Sequence, residues 1–195
     1  MADDETLRFY AEHAAVYVQQ QRRLGKYLES FVNALPKGAS VLELGSGGGE
    51  DAAFMLAHGL DIQPTDASPE LAAEASRQIG RPVRVMRFDQ LDAEAQFDGV
   101  WASASLLHAP DAELAGNLAQ IFRALKPGGL FVASFKAGNG EGRDQFGRYY
   151  NYPTAQTLLA RYRTAAAWSE LELTEEDGSG YDALPTRWLW VTARR

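Results

Sequence analysis

A doubly wound α/β domain with a mostly parallel sheet and an antiparallel C-terminal strand is the architecture to which three features of this chain point. The first is the stretch VLELGSGGGED at 41–51, a buried strand running through a glycine loop into a helix. The second is the alternation of short apolar runs with helix-period segments as far as residue 135, the pattern of βαβ units. The third is the placing of acids, Asp66 and Asp89, where apolar strands end.

The elements follow in order. Residues 5–34 carry Leu7, Phe9, Tyr10, Ala14, Tyr17, Leu24, Leu28 and Phe31 at helical spacing, so a helical cap is expected at about 1–35. Pro36-Lys37-Gly38 breaks it and leads into strand one, 40–44. A helix over 50–58 begins with two acids at its positive end and stops at His58-Gly59. Strand two, 61–65, ends at Asp66. Ser68-Pro69-Glu70 then supplies an N-cap, a first-turn proline and a first-turn acid for a helix to Ile79. Strand three is read over 83–88 and strand four over 97–102. A helix capped by Asp111 is expected to reach about 125. Lys126-Pro127-Gly128-Gly129 turns into strand five, 130–135. Beyond Lys136 come a glycine-rich loop, a helix over 154–166, and two strands near 168–174 and 187–193 forming an antiparallel hairpin.

The 195 residues suit one domain, read here as 1–195 without a linker. A hydrophobic fraction of 46% with 23% charged residues is that of a globular protein, and no apolar run approaches bilayer length. The acidic N-terminal stretch reads as neither signal nor transit peptide, and with no cysteine the expected compartment is cytoplasmic. Net charge −7 speaks against a nucleic-acid partner, whose phosphates need Lys and Arg. No His/Asp/Glu set has metal-ligand spacing, so no metal is expected. The glycine loop is neither a dinucleotide fingerprint, which would need glycine where Glu50 stands, nor a P-loop, which would need G-K-[ST].

Glu43-x-Gly45-x-Gly47-x-Gly49, Asp66, Asp89 and the block FDGVWASASLLHAP…LAQIFRALKPGGLFVASF at 97–135 resemble the class I S-adenosylmethionine (SAM)-dependent methyltransferases. The LKPGG turn is the most specific part of that likeness. The resemblance implies a Rossmann-like, seven-stranded methyltransferase fold over nearly the whole chain. It also implies SAM as cofactor and S-adenosylhomocysteine as product. Small bacterial members of the type that includes tellurite-resistance proteins are the best family-level comparison, which implies a small-molecule or oxyanion acceptor; a monomer or homodimer is expected.

On that likeness the cofactor would meet Gly45, Ser46, Gly47 and Gly49, with Glu43 beside the loop. Glu43 could equally hydrogen-bond the loop amides. Asp66 with Ala67 would face the ribose, and Phe88, Asp89 and Gln90 the adenine. Ala102 and Ser103 would follow strand four. From the N-terminal cap, Tyr17 and Arg22 or Arg23 would reach the methionyl end. His108, just after strand four, is the one candidate catalytic residue, to orient or deprotonate the acceptor; capping the following turn is its alternative. Arg143, Arg148, Tyr149 and Tyr152 sit in a glycine-bearing segment with the composition of a lid, and are the candidate substrate-binding residues. Arg187 and Trp188 are candidates for the same mouth, with Trp190 set on the other side from Trp188. A non-catalytic SAM-binding module and an NAD-dependent oxidoreductase are the alternative functions.

Overall fold

The computed structural model describes residues 3–19 and 25–195. Two helices come first, α1 (Asp4–Tyr17) and α2 (Lys26–Asn33). Asp3 caps α1 by accepting from Thr6 N at 2.8 Å. The expected helical cap is therefore two helices in the described residues, and Arg22 and Arg23 lie outside them.

The α/β body then runs β1 (Ser40–Leu44), α3 (Glu50–Ala57), β2 (Asp61–Asp66), α4 (Pro69–Ile79), β3 (Arg84–Val85), β4 (Phe97–Ala102), α5 (Asp111–Ala124) and β5 (Leu125–Lys136). A two-stranded ribbon follows, β6 (Gly142–Arg143) with β7 (Tyr149–Tyr150), then α6 (Ala155–Ala165), β8 (Glu170–Ser179) and β9 (Pro185–Arg194). The seven-stranded sheet has the order β3-β2-β1-β4-β5-β9-β8. The first five strands are parallel; β9 is antiparallel to both its neighbours, with Lys136 opposite Trp188 and Leu173 opposite Val191. The hairpin read from the sequence thus inserts its second strand beside β5 and leaves β8 at the edge.

Alternation along the central strands feeds two cores. Leu42, Leu44, Val100 and Phe131 pack with Leu118 and Ile121 of α5 on one face. Val41, Trp101 and Val132 pack with Leu28 and Phe31 of α2 on the other. Both faces of a parallel sheet are covered, which is why these strands read as continuous apolar runs.

Three boundaries differ from the sequence reading. Strand three shrinks to Arg84–Val85, because Gln90 reaches back to accept from Arg87 N and closes Phe88–Gln90 into a tight 3₁₀ turn. Pro110, not Asp111, is the N-cap of α5, and the Asp111 carboxylate pairs with Arg161 instead. Leu125 already pairs with Phe97, so the Lys-Pro-Gly-Gly segment is an irregularity inside β5, pinned by Lys126 on Asp98 at 2.8 Å. In the segment read as a lid, Tyr149 N donates to Thr6 Oγ1, and Asn151 donates to the Leu106 and Ala109 carbonyls.

Candidate active site

The carboxyl ends of β1, β2 and β4 converge at the point where the strand order reverses, the usual ligand edge of such a sheet. The glycine loop there is set by left-handed backbone at Gly45 (φ 81°) and Gly47 (φ 54°), and by Gly45 N and Ser46 N both donating to the Thr65 carbonyl at 2.9 Å. Glu43 is buried behind the loop and accepts from Ser46 Oγ at 2.7 Å. Asp66 lies in front of it. One carboxylate oxygen accepts from Gly47 N and the other from Ser68 N, each at 2.9 Å. Asp66 is 8% exposed, and burial raises its pKa to about 6 against the lowering effect of those amides.

Gly45, Gly47, Asp66, Ala67, Phe88, Ser103 and Ser105 line a cavity of about 80 Å³ roofed by Thr6, Leu7, Tyr10 and Tyr17 of α1. Ser105 Oγ is buried there without a hydrogen-bond partner among the described residues. A Cβ on Gly47 would stand 3.3 Å from the Tyr17 ring, so Tyr17 covers the loop. Ser46, Glu43 and Gly49 support the loop from outside this cavity, Gly49 as the left-handed N-cap of α3, and Ala102 is buried in β4 below Ser103. Asp89 and Gln90 are not gathered: the Asp89 carboxylate turns to Arg87 at 3.2 Å and the Gln90 amide to the Arg87 backbone.

Tyr10 and His108 form the partition between this cavity and a second cleft of about 750 Å³. His108 Nδ1 is 2.6 Å from the Tyr149 carbonyl, so that nitrogen carries the proton and Nε2 accepts from the Tyr10 hydroxyl at 2.9 Å. Burial depresses the His108 pKa to about 4, leaving the imidazole neutral. Arg148 Nη1 donates to the Tyr10 oxygen at 3.3 Å. Arg148 itself is 1% exposed, ion-paired to Asp144 at 2.6 Å and faced by the rings of Phe9 and Tyr181 at 4.8 Å. The larger cleft continues past Tyr27, Ser134, Lys136, Tyr150, Tyr181, Trp188 and Trp190.

Of the four residues expected to meet a substrate, Arg148 alone lines this cleft. Arg143 is spent on Asp3 at 2.6 Å and Glu5 at 3.1 Å, where it fastens the start of α1. The Tyr149 hydroxyl binds Glu141 and accepts from Asp111 N, and Tyr152 stacks on Tyr150 from outside. Trp188 and Trp190 share the cleft, correcting their expected separation, since residues two apart lie on one face of a strand; Arg187 turns away to Glu175 and Asp177. Sequence reasoning passed over Tyr10 and Lys136. A lysine ending the apolar run 130–135 was a signal for the second; nothing local marked the first. No group of three or more metal-ligating side chains occurs among the described residues, and none of their helices is long and apolar enough to cross a membrane.

Comparison with known proteins places this geometry in a family. A model described as a methyltransferase domain matches residues 16–171. The S-adenosyl-L-methionine-dependent Diels-Alderase iccD of Talaromyces variabilis is 35% identical over 121 residues, covering 57% of this chain and 40% of that protein. The dimethylglycine N-methyltransferase of Parasynechococcus marenigrum is 31% identical over 140 residues, covering 67% and 49%. The chain thus spans only 40–49% of the length of these relatives. Among solved structures, the Burkholderia thailandensis 1,6-didemethyltoxoflavin-N1-methyltransferase, with its substrate and S-adenosylhomocysteine bound, superposes with a TM-score of 0.71 at 24% identity, over 97% of this chain and 84% of that one. With fold, glycine loop and a family model over most of its length in agreement, the chain belongs to the class I S-adenosylmethionine-dependent methyltransferase family.

Proposed function

We propose that the protein binds SAM in the cavity under α1 and transfers its methyl group to a small molecule held in the larger cleft. The observation that carries this reading is the common wall: Tyr10, Tyr17, Ser103, Ala104 and His108 line both spaces, so two ligands would meet there. The residues fit the cofactor. Gly45 and Gly47 offer bare backbone, Ser105 Oγ an orphan hydroxyl, and Asp66 keeps lone pairs for ribose hydroxyls beyond the two amides it accepts. The sulfonium of SAM supplies an already activated methyl, so the protein's task is approach geometry and exclusion of water. About 80 Å³ falls short of the roughly 300 Å³ at which small-molecule pockets begin, so α1 must shift for loading. Its ties are Arg143 to Asp3, Tyr149 to Thr6 and Tyr10 to His108.

SAM and S-adenosylhomocysteine should raise the melting temperature while NAD and ATP do not; ligand at 100 times its dissociation constant adds about 2.7 kcal/mol. Isothermal calorimetry checks this, and tighter binding of NAD than of SAM would reject the assignment. S-adenosylhomocysteine release over a panel of small acceptors then tests transfer.

His108 fits a positioning role better than that of a base. Protonating a group of pKa about 4 at pH 7 costs about 4 kcal/mol. Its depressed pKa means the neutral form persists until pH falls towards 4, so the turnover rate at saturating SAM should stay level from pH 8 to about 5 on its account. Nitrogen-edited NMR of the imidazole should show a neutral, Nδ1-protonated ring at pH 6; a titration midpoint near 6.5 would contradict this. The cyclisation named for the Talaromyces relative gives a second reading, in which SAM is held but not consumed. Stoichiometric recovery of SAM after product formation would establish it.

A further inference from the structure

The larger cleft holds a cation that the transfer reaction itself does not require. Lys136, the last residue of β5, is 7% exposed, and its amine stands 4.6 Å from the centre of the Tyr150 ring and 6.0 Å from that of Trp188. Among the described residues no carboxylate lies within ion-pair distance of it. The acids around the cleft are otherwise engaged: Asp144 by Arg148 at 2.6 Å, Glu176 by Lys26 at 3.0 Å and Asp177 by Arg187 at 3.0 Å. Asp182, across Gly180, accepts from Leu184 N at 3.3 Å and acts on Lys136 only at longer range. A partly desolvated ammonium with no carboxylate in contact carries a cost that Asp182 at longer range and the rings offset only in part. Burial accordingly lowers the Lys136 pKa. Arg148 adds a second positive group in the same wall, in a protein of net charge −7.

We propose that Lys136 recognises an anionic oxygen on the acceptor, and that the acceptor is a planar aromatic acid seated among Tyr150, Tyr181, Trp188 and Trp190. The inference rests on the methyl-transfer reading for the word acceptor, but the recognition step stands on the cleft alone. Aromatic walls suit a flat molecule, and the missing partner of the lysine suits a carboxylate or an acidic phenol. A cationic amine would meet Lys136 and Arg148 as like charges. This places the anion-recognising charge on β5 and not on Arg143.

The test compares a hydroxybenzoate with its amide and with the corresponding benzylamine, titrated into protein loaded with S-adenosylhomocysteine and read by calorimetry and tryptophan fluorescence. The carboxylate should bind at least about tenfold more tightly than the amide, the lower range for a hydrogen bond to a charged group. Lys136→Met, similar in length and apolar, should abolish that preference while leaving amide binding and S-adenosylhomocysteine affinity within about twofold, and Lys136→Arg should keep part of it. Equal binding of acid and amide, tighter binding of the amine, no binding of any aryl carboxylate, or an equal loss for acid and amide in Lys136→Met each overturns the proposal. Failure of S-adenosylhomocysteine to bind would instead strike the cofactor reading, and the acid-over-amide preference of the cofactor-free protein would still report on Lys136.

Discussion

Replacing Asp66 with alanine should weaken SAM binding by roughly 10- to 150-fold, the equivalent of the 1.5–3 kcal/mol typical of hydrogen bonds to a charged group. The side chain acts twice: its oxygens fix Gly47 N and Ser68 N, and their remaining lone pairs face the cavity under α1. The variant should nevertheless fold. Burial has raised the Asp66 pKa to about 6, so the folded protein holds this proton to a higher pH than the unfolded chain does. Its contribution to stability is therefore greatest in acid and is lost as pH rises from about 4 to 6, leaving a cost of about 3 kcal/mol at neutral pH. Alanine removes that cost, which is already net of the backbone amides that lower the pKa. For the native protein the same pKa predicts that SAM affinity falls about tenfold per unit below pH 6, because ribose hydroxyls donate to the carboxylate and not to the acid. The Michaelis constant for SAM should thus rise in acid while turnover at saturation holds. Calorimetry at pH 5, 6 and 8 on both proteins checks it; an unchanged dissociation constant in a folded Asp66→Ala protein removes Asp66 from the site.

Gly45→Ala should be the most damaging single-methyl change at the glycine loop. Its Cβ would stand 2.5 Å from Ser105 Cβ, a separation side chains do not tolerate, on a backbone held at φ 81°. Left-handed strain of about 1–2 kcal/mol and overpacking of about 1–3 kcal/mol add to roughly 2–5 kcal/mol. For a domain of this size that is a fall of about 5–20 °C in melting temperature. Gly59 supplies the control, since it has the same φ of 81° but nothing within 4 Å of an added Cβ. Gly59→Ala should show the strain alone. If the two variants melt together, the contact with Ser105 is not rigid and the loop is softer than described. Gly47→Val should damage SAM binding by crowding Tyr17 and the bare backbone beside it, with the added strain of a β-branched residue at φ 54°.

Much of the site was legible because its determinants are local. A strand, a glycine loop and a helix lie within eleven consecutive residues, and Asp66 is marked by the end of β2 and the Ser68-Pro69 cap that follows it. Strand four and the hairpin at the C-terminus are equally local patterns, and both are present. Strand three was read too long because a two-residue edge strand is defined by its partner, Thr65–Asp66, and not by its own composition.

Arg143 and Arg148 show the limit. Five positions apart in one segment, they invited the same role, yet Arg143 finds Asp3, 140 positions away, while Arg148 is folded under aromatic rings with Asp144. Charge partners across such separations leave no trace in spacing. Tyr10 likewise became a site residue only when α1 was laid over the sheet and its hydroxyl met His108, 98 positions on. The sequence by itself determined the family, the order of strands and helices, and the loop with Asp66, because backbone dihedrals, strand alternation and capping act over a few residues. The tertiary structure alone decided the partition between the two cavities, the neutral state of His108 and the unpaired amine of Lys136. Each of these depends on burial and on long-range packing, which set the local dielectric and choose the partner of every charge.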